Sequence, residues 1–333
     1  MREKSLTAVR SIQEARRGLF ACVIVALSAA FLADQYRMPI LLVALLLGMA
    51  SAFVVEHPGS RAGVDLASGT ILRVGVALLG FRVLAGDVIT LGWSTMAMLA
   101  GAAAVTIAGG MVLARLLKLD GKLGALSGGA VAICGVSAAI AISAVMPRSR
   151  AMDQYLAVTV VTVTVFGSVA MILYPVLVQA VGLDPLHAGI FLGASIHDVS
   201  HVVGAGYSVS PSVGDFAVLV KMVRVVLLVP VVWAFHALFR SDLHREPGSP
   251  KLTLPWFLIG FVLVAAISSL GFVPDSVRQL SDRLSQGCLL VAMVAIGMKT
   301  SVSALLATGW RSVLLVLGES LLIGALALAW CVF

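Results

Sequence analysis

Long apolar segments follow one another along almost the whole chain, and they restrict its fold more than any other feature. The clear ones lie at about 18–33, 38–55, 67–85, 92–117, 155–181, 216–239, 254–271, 286–303 and 310–333. A helix needs about 20 apolar residues to cross a bilayer. Hydrophobic residues make up 60% of the 333 positions and charged residues 12%, whereas a soluble domain is about 25% charged. The sequence therefore predicts an all-α polytopic membrane protein.

The polar residues leave no room for a separate extramembrane domain, because the longest polar stretch runs only from Arg240 to Thr253. The net charge of +7 is therefore expected to set topology rather than to bind nucleic acid. The cysteines lie inside apolar runs without the CxxC spacing of zinc sites, at Cys22, Cys134, Cys288 and Cys331. We expect no cofactor, no metal site, no disulfide framework and no enzymatic activity.

Two further segments, 121–147 and 186–208, differ from the others because they are rich in Gly, Ala and Ser. The second also carries His197, Asp198 and His201. Non-helical backbone survives at membrane depth only where protein or a water-filled cavity satisfies its hydrogen bonds. We therefore expect two broken or re-entrant helices within about nine to eleven membrane segments.

The positions of the arginines favour the re-entrant arrangement. If every segment crossed the membrane, Arg148 and Arg150 would lie outside, although basic residues tend to stay in the cytoplasm. If the two unusual segments enter and leave on the same side, both become cytoplasmic, while Arg278 and Arg283 stay outside in either arrangement. Basic residues before the first segment place the N-terminus in the cytoplasm. We expect a multi-pass protein of the bacterial inner membrane.

An internal repeat relates the two halves of the chain. Residues 72–93 align without gaps on 289–310, and the matched pairs include Leu72 with Leu289, Gly80 with Gly297, Arg82 with Lys299, Gly92 with Gly309 and Trp93 with Trp310. A weaker repeat relates the two Gly-rich segments and pairs Ile133 with Ile196, Val136 with Val199, and Ser137 with Ser200. Inverted repeats with broken helices are typical of secondary transporters. We expect one transporter domain, 1–333, with inverted repeats at roughly 18–181 and 186–333.

The ionisable residues inside these segments predict an anion site. Burying charge in a membrane is costly, so the candidate functional residues are His197, Asp198, His201, Lys221 and Arg224. Helical spacing places the two cations on one face and the two histidines on another. Lys221 and Arg224 are the predicted anion ligands, and Asp198 with His197 is the predicted gating or proton-carrying pair. Backbone or hydroxyl donors are expected from Cys134, Gly135, Ser137 and Ser195.

Other interpretations of these residues remain open. Asp198 could pair with Lys221 or Arg224 only to neutralise buried charge. It could also be the carboxylate of a cation–proton antiporter, and a channel is a further class. Glu319 in the last span is either a proton site or a partner of Arg73. The run HDVSH at 197–201 is similar to the HExxH zinc motif of metalloproteases, but no third ligand motif accompanies it.

Four strings of the sequence resemble the YeiH family of bacterial membrane proteins, which are often described as sulfate exporters. They are ICGVS at 133–137, FGSVAMILYP at 166–175, GASIHDV at 193–199 and KMVR at 221–224. The resemblance extends from about Pro39 to Phe333 and implies a secondary-transporter fold with inverted repeats. The family commonly has Gln where this chain has His201, which weakens the metalloprotease interpretation, because relatives without this histidine cannot use it.

These features together predict a secondary transporter, favoured as an exporter, of a small anion such as sulfate, another sulfur oxyanion or a sulfonate, coupled to protons. The expected partners are this anion, protons and the lipid bilayer, with a homodimer allowed and no nucleic acid. A cation–proton antiporter that uses Asp198 is the alternative, and an intramembrane metalloprotease is a weaker one.

Overall fold

The computed structural model describes residues 2–36, 38–82, 85–147, 149–239, 256–270, 273–300 and 309–333, with side chains from residue 15 onward except at 58 and 85–88. Its helices in chain order are α1 (Arg2–Tyr36), α2 (Ile40–Ala50), α3 (Phe53–Glu56), α4 (Pro58–Leu66), α5 (Leu72–Leu78), α6 (Ala85–Leu116), α7 (Gly121–Ala132), α8 (Val136–Ser143), α9 (Arg150–Val181), α10 (Pro185–Ser195), α11 (Val199–Val209), α12 (Pro211–Val226), α13 (Leu228–Leu238), α14 (Trp256–Ser269), α15 (Asp275–Lys299) and α16 (Trp310–Val332). The π-helical turn Ala67–Ile71 joins α4 to α5. These described residues contain no β-strand, so the all-α prediction is confirmed. Arg148, on which the topology argument partly depends, lies outside them.

Helices long and apolar enough to cross a membrane occur 7 times in the described part of the chain. They are Ala15–Tyr36, Gly59–Phe81, Ile89–Leu116, Arg150–Val181, Pro211–Leu238, Asp275–Lys299 and Trp310–Val332. The predicted spans at 38–55 and 254–271 contain shorter helices instead, α2 and α14, of 11 and 14 residues. At 1.5 Å per residue they cover about 17 and 21 Å, less than the apolar core of about 30 Å. The protein is therefore a polytopic helical membrane protein, and in the described part of the chain neither of these two helices alone is long enough to cross the apolar core.

The chain packs as two compact units. One contains Met1–Ala85, Tyr207–Val209 and Trp256–Ser301, and the other contains Gly86–Gly206, Ser210–Pro255 and Val302–Phe333. Helices α1 to α5, α14 and α15 thus belong to the first unit. Helices α6 to α13 and α16 belong to the second, apart from the last turn of α11.

In the first unit, matching glycines of the repeat make matching close contacts. A Cβ on Gly80 would lie 2.5 Å from the carbonyl oxygen of Phe261 in α14, and a Cβ on Gly297 would lie 2.3 Å from that of Leu45 in α2. Such distances are shorter than any side chain allows, so both positions require glycine. The short helices α2 and α14 therefore occupy equivalent places, and the repeat extends beyond 72–93 and 289–310 to include them.

Two ion pairs of the first unit are related by the same repeat. Arg82 contacts Asp282 at 3.1 Å, and Lys299 contacts Asp65 at 2.7 Å. The alignment that pairs Arg82 with Lys299 also pairs Asp65 with Asp282, so each ion pair is the counterpart of the other. Because the start of each helical run contacts the end of the other, the runs are antiparallel, as an inverted repeat requires.

Glycines with positive φ occupy matched positions of the second unit, Gly92 at a kink within α6 and Gly309 directly before α16. Gly92 has φ 69° and ψ 160°, and Gly309 has φ 86° and ψ 132°. Each is followed by an exposed tryptophan, Trp93 or Trp310. Glycine reaches these angles without steric strain. The repeated Gly-Trp pair is therefore a repeated backbone conformation, which explains why the glycines match.

The second unit is built around α7 and α10, two glycine-rich helices that are buried along most of their length. Glycine lets their neighbours approach closely, since a Cβ on Gly124 would lie 2.3 Å from a backbone oxygen of α6, and one on Gly193 would lie 2.5 Å from a backbone oxygen of α12. A core cluster of small and branched side chains joins α7 and α8 to α9 and α16: Ala130, Val131, Ala139, Val163, Val316 and Ile323.

Candidate functional site

Both unusual segments are broken helices, as predicted. Helix α7 ends at Ala132 and α8 begins at Val136, while α10 ends at Ser195 and α11 begins at Val199. Gly135 makes the first break possible, because its φ of 61° and ψ of −122° are accessible to glycine. The two breaks contact each other, since a Cβ on Gly135 would lie 3.7 Å from His197. Four half-helix ends therefore meet at one place in the unit, which we call the crossing.

Lys221 of α12 joins the two breaks through its ammonium group. Its Nζ donates hydrogen bonds of 2.8 Å to the carbonyl oxygen of Ile133, 2.8 Å to that of Ile196 and 2.6 Å to that of His197. An ammonium group has three N–H donors, so all of them face main-chain oxygens. Lys221 is fully buried, and it therefore binds backbone on both sides of the crossing.

Arg224, one turn further along α12, binds the ends of α7 and α10 in the same way. Its Nε and Nη2 donate to Ala132 at 3.1 and 2.7 Å, and Nη2 also donates to Val131 at 2.9 Å. Its Nη1 donates to Gly193 at 2.9 Å and to Ile196 at 3.1 Å. A guanidinium has five N–H donors, and each of them has a carbonyl partner here.

These contacts assign the two cations a role that differs from the prediction. The C-terminal end of a helix carries partial negative charge and unpaired carbonyls. Lys221 and Arg224 bind such carbonyls at the ends of α7 and α10, so they neutralise both ends and hold the breaks together. Direct anion binding by either side chain finds no support in this conformation, because every donor is already used. Lys221 and Arg224 do share one face of α12, as predicted.

The N-terminal ends of α8 and α11 differ from each other. The Asp198 carboxylate caps α11 and accepts hydrogen bonds from the Ser200 N–H at 3.0 Å and the Ser200 hydroxyl at 2.6 Å. At α8 the equivalent position is Gly135, which has no side chain to cap with, and the neighbouring Cys134 thiol accepts a hydrogen bond from the Ala138 N–H, the third of the helix. Within the described residues, the Val136 and Ser137 N–H groups at this end have no hydrogen-bond acceptor. One positive helix end at the crossing therefore lacks a fixed negative partner.

The two histidines face different neighbours, so the prediction of a shared face is wrong. His197 lies in the break before α11, and its Nε2 is 2.8 Å from the Ser320 hydroxyl of α16. His201 lies on α11, and its Nε2 is 3.1 Å from the Ser168 hydroxyl of α9. Spacing of four residues implies a shared face only inside one regular helix. The described hydrogen bonds of Asp198 are to Ser200, so the gating or proton-carrying role predicted for Asp198 with His197 stays a prediction.

The same geometry removes the basis of the zinc motif. HExxH requires both histidines on one helical face, and the break at 196–198 separates them. Among the residues that the structure describes, no three His, Cys, Asp or Glu side chains are grouped as metal ligands.

The remaining predicted residues take lesser positions. Cys134 is buried inside the first break, and the buried Ser195 hydroxyl donates to the Phe191 carbonyl of its own helix at 2.6 Å. Ser137 is exposed at the start of α8. The sequence did not identify Ser168 and Ser320 as the hydrogen-bond partners of the two histidines. Their only signal in the sequence is that each is a polar residue in an apolar helix.

Comparison with known proteins gives the family. A family model described as Conserved hypothetical protein 698 matches residues 17–316. A UPF0324 membrane protein of Chlorobaculum tepidum is 43% identical over 314 residues, covering 93% of this chain and 87% of that protein. The chain belongs to the UPF0324 family of membrane proteins.

Other UPF0324 members resemble the chain over nearly its full length. One from Rhizobium meliloti is 43% identical over 330 residues, covering 98% of this chain and 95% of that protein. One named TauZ, from Paracoccus denitrificans, is 42% identical over 313 residues, covering 93% and 92%. No solved structure matches. UPF0324 membership agrees with the resemblance to the YeiH family.

Proposed function

We propose that this UPF0324 protein is a secondary transporter of a small anion, and that the anion binds at the N-terminal end of α8. The observation that carries the proposal is the positive helix end at Gly135, where the first two N–H groups of α8 have no acceptor among the described residues, next to the crossing of two broken helices. Free N–H groups and the helix dipole together form a ready anion site. Helix ends that meet inside a membrane protein are typical of secondary transporters.

The charge balance of the crossing supports an anion rather than a cation. Lys221 and Arg224 carry two positive charges and bind neutral carbonyls, and neither has a carboxylate partner among the described residues. Asp198 supplies one negative charge, and it already caps α11. The crossing thus carries a net positive charge when its histidines are neutral, and this favours a negatively charged ligand.

The finer parts of the proposal come from the sequence. The resemblance to the YeiH family favours a sulfur oxyanion or sulfonate, exported from the cytoplasm across the bacterial inner membrane, with the N-terminus in the cytoplasm. The printed name TauZ does not state a substrate. We propose proton coupling and no enzymatic activity.

A charge placed at the α8 end tests the site directly. Ser137 is exposed near the start of α8, so Ser137→Asp would put a carboxylate where the anion binds. A carboxylate near a helix N-terminus stabilises the helix by about 0.3–1 kcal/mol. We expect Ser137→Asp to keep or raise the unfolding temperature of the purified protein and to abolish its stabilisation by anions. Ser137→Asn, which has nearly the same shape without the charge, should keep that stabilisation.

The measurement is thermal unfolding in detergent with sulfate, sulfite, thiosulfate and small sulfonates, each against chloride. Transport is then tested with the anion that stabilises the protein most. Uptake of this labelled anion is measured in liposomes under an imposed pH gradient. The proposal fails if none of these anions stabilises the wild type, or if Ser137→Asp is stabilised as strongly as Ser137→Asn.

A further inference from the structure

Glu319 is a buried acid within α16, away from the charged residues of the crossing. It lies near the middle of the helix and is 1% exposed. The Ser127 hydroxyl of α7 donates to its Oε1 at 2.7 Å. Its Oε2 is buried and has no hydrogen-bond partner. The carboxyl group is therefore half-satisfied in a place that water does not reach.

The surrounding helices leave space for this side chain. Gly110 of α6 is the residue beside it, and a Cβ there would lie only 2.4 Å from Oε1. A glycine is therefore required opposite the acid. Gly110 of α6 and Ser127 of α7 therefore both border the carboxyl group of Glu319.

No cation balances Glu319 within the described residues. Helices α6, α7, α9 and α10 pack against α16, and the titratable or charged groups on them and on the adjoining break are Arg115, Lys122, Arg150, Asp153, Tyr155, Tyr174, His187, His197 and Asp198. None of these forms an ion pair or hydrogen bond with Glu319, whose described polar contact is Ser127 alone. The donors of Lys221 and Arg224 are all used at the crossing.

An ionised carboxylate in this place would lack compensation. One hydrogen bond from a neutral hydroxyl does not replace the hydration of a charge taken out of water. In this conformation the carboxyl group therefore holds a proton. Releasing the proton breaks the Glu319 O–H bond and leaves a negative charge that only water or a shift of the helices can stabilise.

Glu319 is also linked to both broken helices. Ser127 lies on α7, six residues before the first break residue, Ile133. The residue after Glu319 is Ser320, whose hydroxyl contacts His197 in the second break. A rearrangement that hydrates Glu319 must therefore disturb contacts to the two elements that form the anion site.

From this geometry we infer that Glu319 is the proton-carrying site that couples anion movement to the proton gradient. The inference rests on the proposed transport function and deepens it. The proton leaves to water on one side of the membrane when the site opens, and it is taken up again from water on the other side. Asp198, the carrier predicted from the sequence, is instead a fixed cap of α11.

The test compares two substitutions that remove one acid each. Glu319→Gln keeps the shape of the side chain and an oxygen that can accept from Ser127, but it cannot release a proton. Asp153→Asn is the matched control, because Asp153 is an exposed acid in the first turn of α9 and is not part of the crossing. Both proteins are reconstituted in liposomes, and labelled anion is followed with and without a pH gradient of one unit.

For one proton per anion, a pH step of one unit drives about tenfold accumulation. We expect wild type and Asp153→Asn to accumulate the anion. The internal concentration in liposomes with Glu319→Gln should only reach the concentration in the bath. Exchange of internal for external anion at equal pH should remain within about twofold of wild type in Glu319→Gln. That exchange also shows that the variant is folded.

The outcomes separate this inference from the proposed function. If wild type neither exchanges nor accumulates any tested anion, the transport function itself is wrong. If wild type accumulates the anion and Glu319→Gln does so equally, the transport function stands and the proton site is elsewhere. Accumulation driven by a sodium gradient and indifferent to pH also overturns the inference. If Glu319→Gln fails to fold, Ser127→Ala should still change the pH dependence of exchange, and an unchanged profile contradicts the assignment.

Discussion

Replacing Arg224 by lysine distinguishes a clamp of the two breaks from an anion ligand. The guanidinium makes five hydrogen bonds to carbonyl oxygens of α7 and α10 and the break after α10. Lysine keeps the positive charge but has only three donors. At least two bonds are therefore lost, and their carbonyls remain buried.

The expected loss of stability follows from these bonds. A hydrogen bond to a charged group contributes about 1.5–3 kcal/mol, so two lost bonds cost about 3–6 kcal/mol. We expect the unfolding temperature of Arg224→Lys in detergent to fall by about 5 °C or more. Arg115→Lys is the matched control, because Arg115 is exposed at the end of α6, and its change should stay within about 0.5 kcal/mol.

Anions decide between the two roles. If Arg224 is a clamp, the destabilised protein is still stabilised by the same anions as the wild type. If Arg224→Lys unfolds at the wild-type temperature but no longer responds to anions, the clamp assignment is refuted and direct ligation is restored. The measurement uses the same unfolding assay with and without the best-stabilising anion.

Three further predictions concern local structure. Gly92→Ala should destabilise the protein by about 1–3 kcal/mol, because φ is 69°, whereas Gly101→Ala, with open space around its Cβ, should be neutral or stabilising in the same thermal assay. Asp65→Asn should cost less than about 1 kcal/mol, because the pair with Lys299 is half-exposed; a larger loss in chemical unfolding would contradict this. Burial alone would raise the pKa of Asp184, but hydrogen bonds from His187 outweigh it and lower the pKa below 3.8. That stabilisation should be complete above about pH 4 and lost as the pH falls through the lowered pKa, and an acid titration of Asp184→Asn should lack this loss.

The sequence predicted the elements of the fold better than their lengths. Apolar runs located the helices, and the Gly-rich composition located both breaks. The run at 38–55 is longer than α2, because apolar residues continue through the turn at 51–52 that ends this helix. Hydrophobicity measures transfer into the membrane, and it does not mark where a helix ends inside the protein.

The repeat contained more information than the alignment first gave. Extending the same register towards the N-terminus pairs Asp65 with Asp282, and these are the acids of the two equivalent ion pairs. The order of the matched parts could not be predicted. The broken helix follows the repeated segment 72–93 in the first half of the chain, but it precedes the repeated segment 289–310 in the second half. Sequence similarity identifies equivalent segments, but their arrangement depends on packing.

The sequence indicated which charged residues lie at the crossing, but it did not predict what they bind. Composition shows that Lys221 and Arg224 are charged and does not show what they bind. Their partners are main-chain carbonyls of the breaks, which any residue type supplies. The spacing rule predicted that the two histidines share one face, because the rule assumes a continuous helix through Asp198.

Under the proposed function, the difference between Gly135 and Asp198 would let one crossing hold its backbone firmly and still release a ligand. The register that pairs Ile133 with Ile196 also pairs Gly135 with Asp198, so the two helix ends occupy equivalent places in the repeat. A permanent carboxylate at one end fixes that end, and permanent cations remove the negative ends of α7 and α10, which would repel an anion. A permanent cap at the remaining end would compete with the substrate for the same N–H groups. Glycine at that end leaves the positive charge of the helix end to be balanced by a ligand that binds and dissociates, as the proposed transport would require.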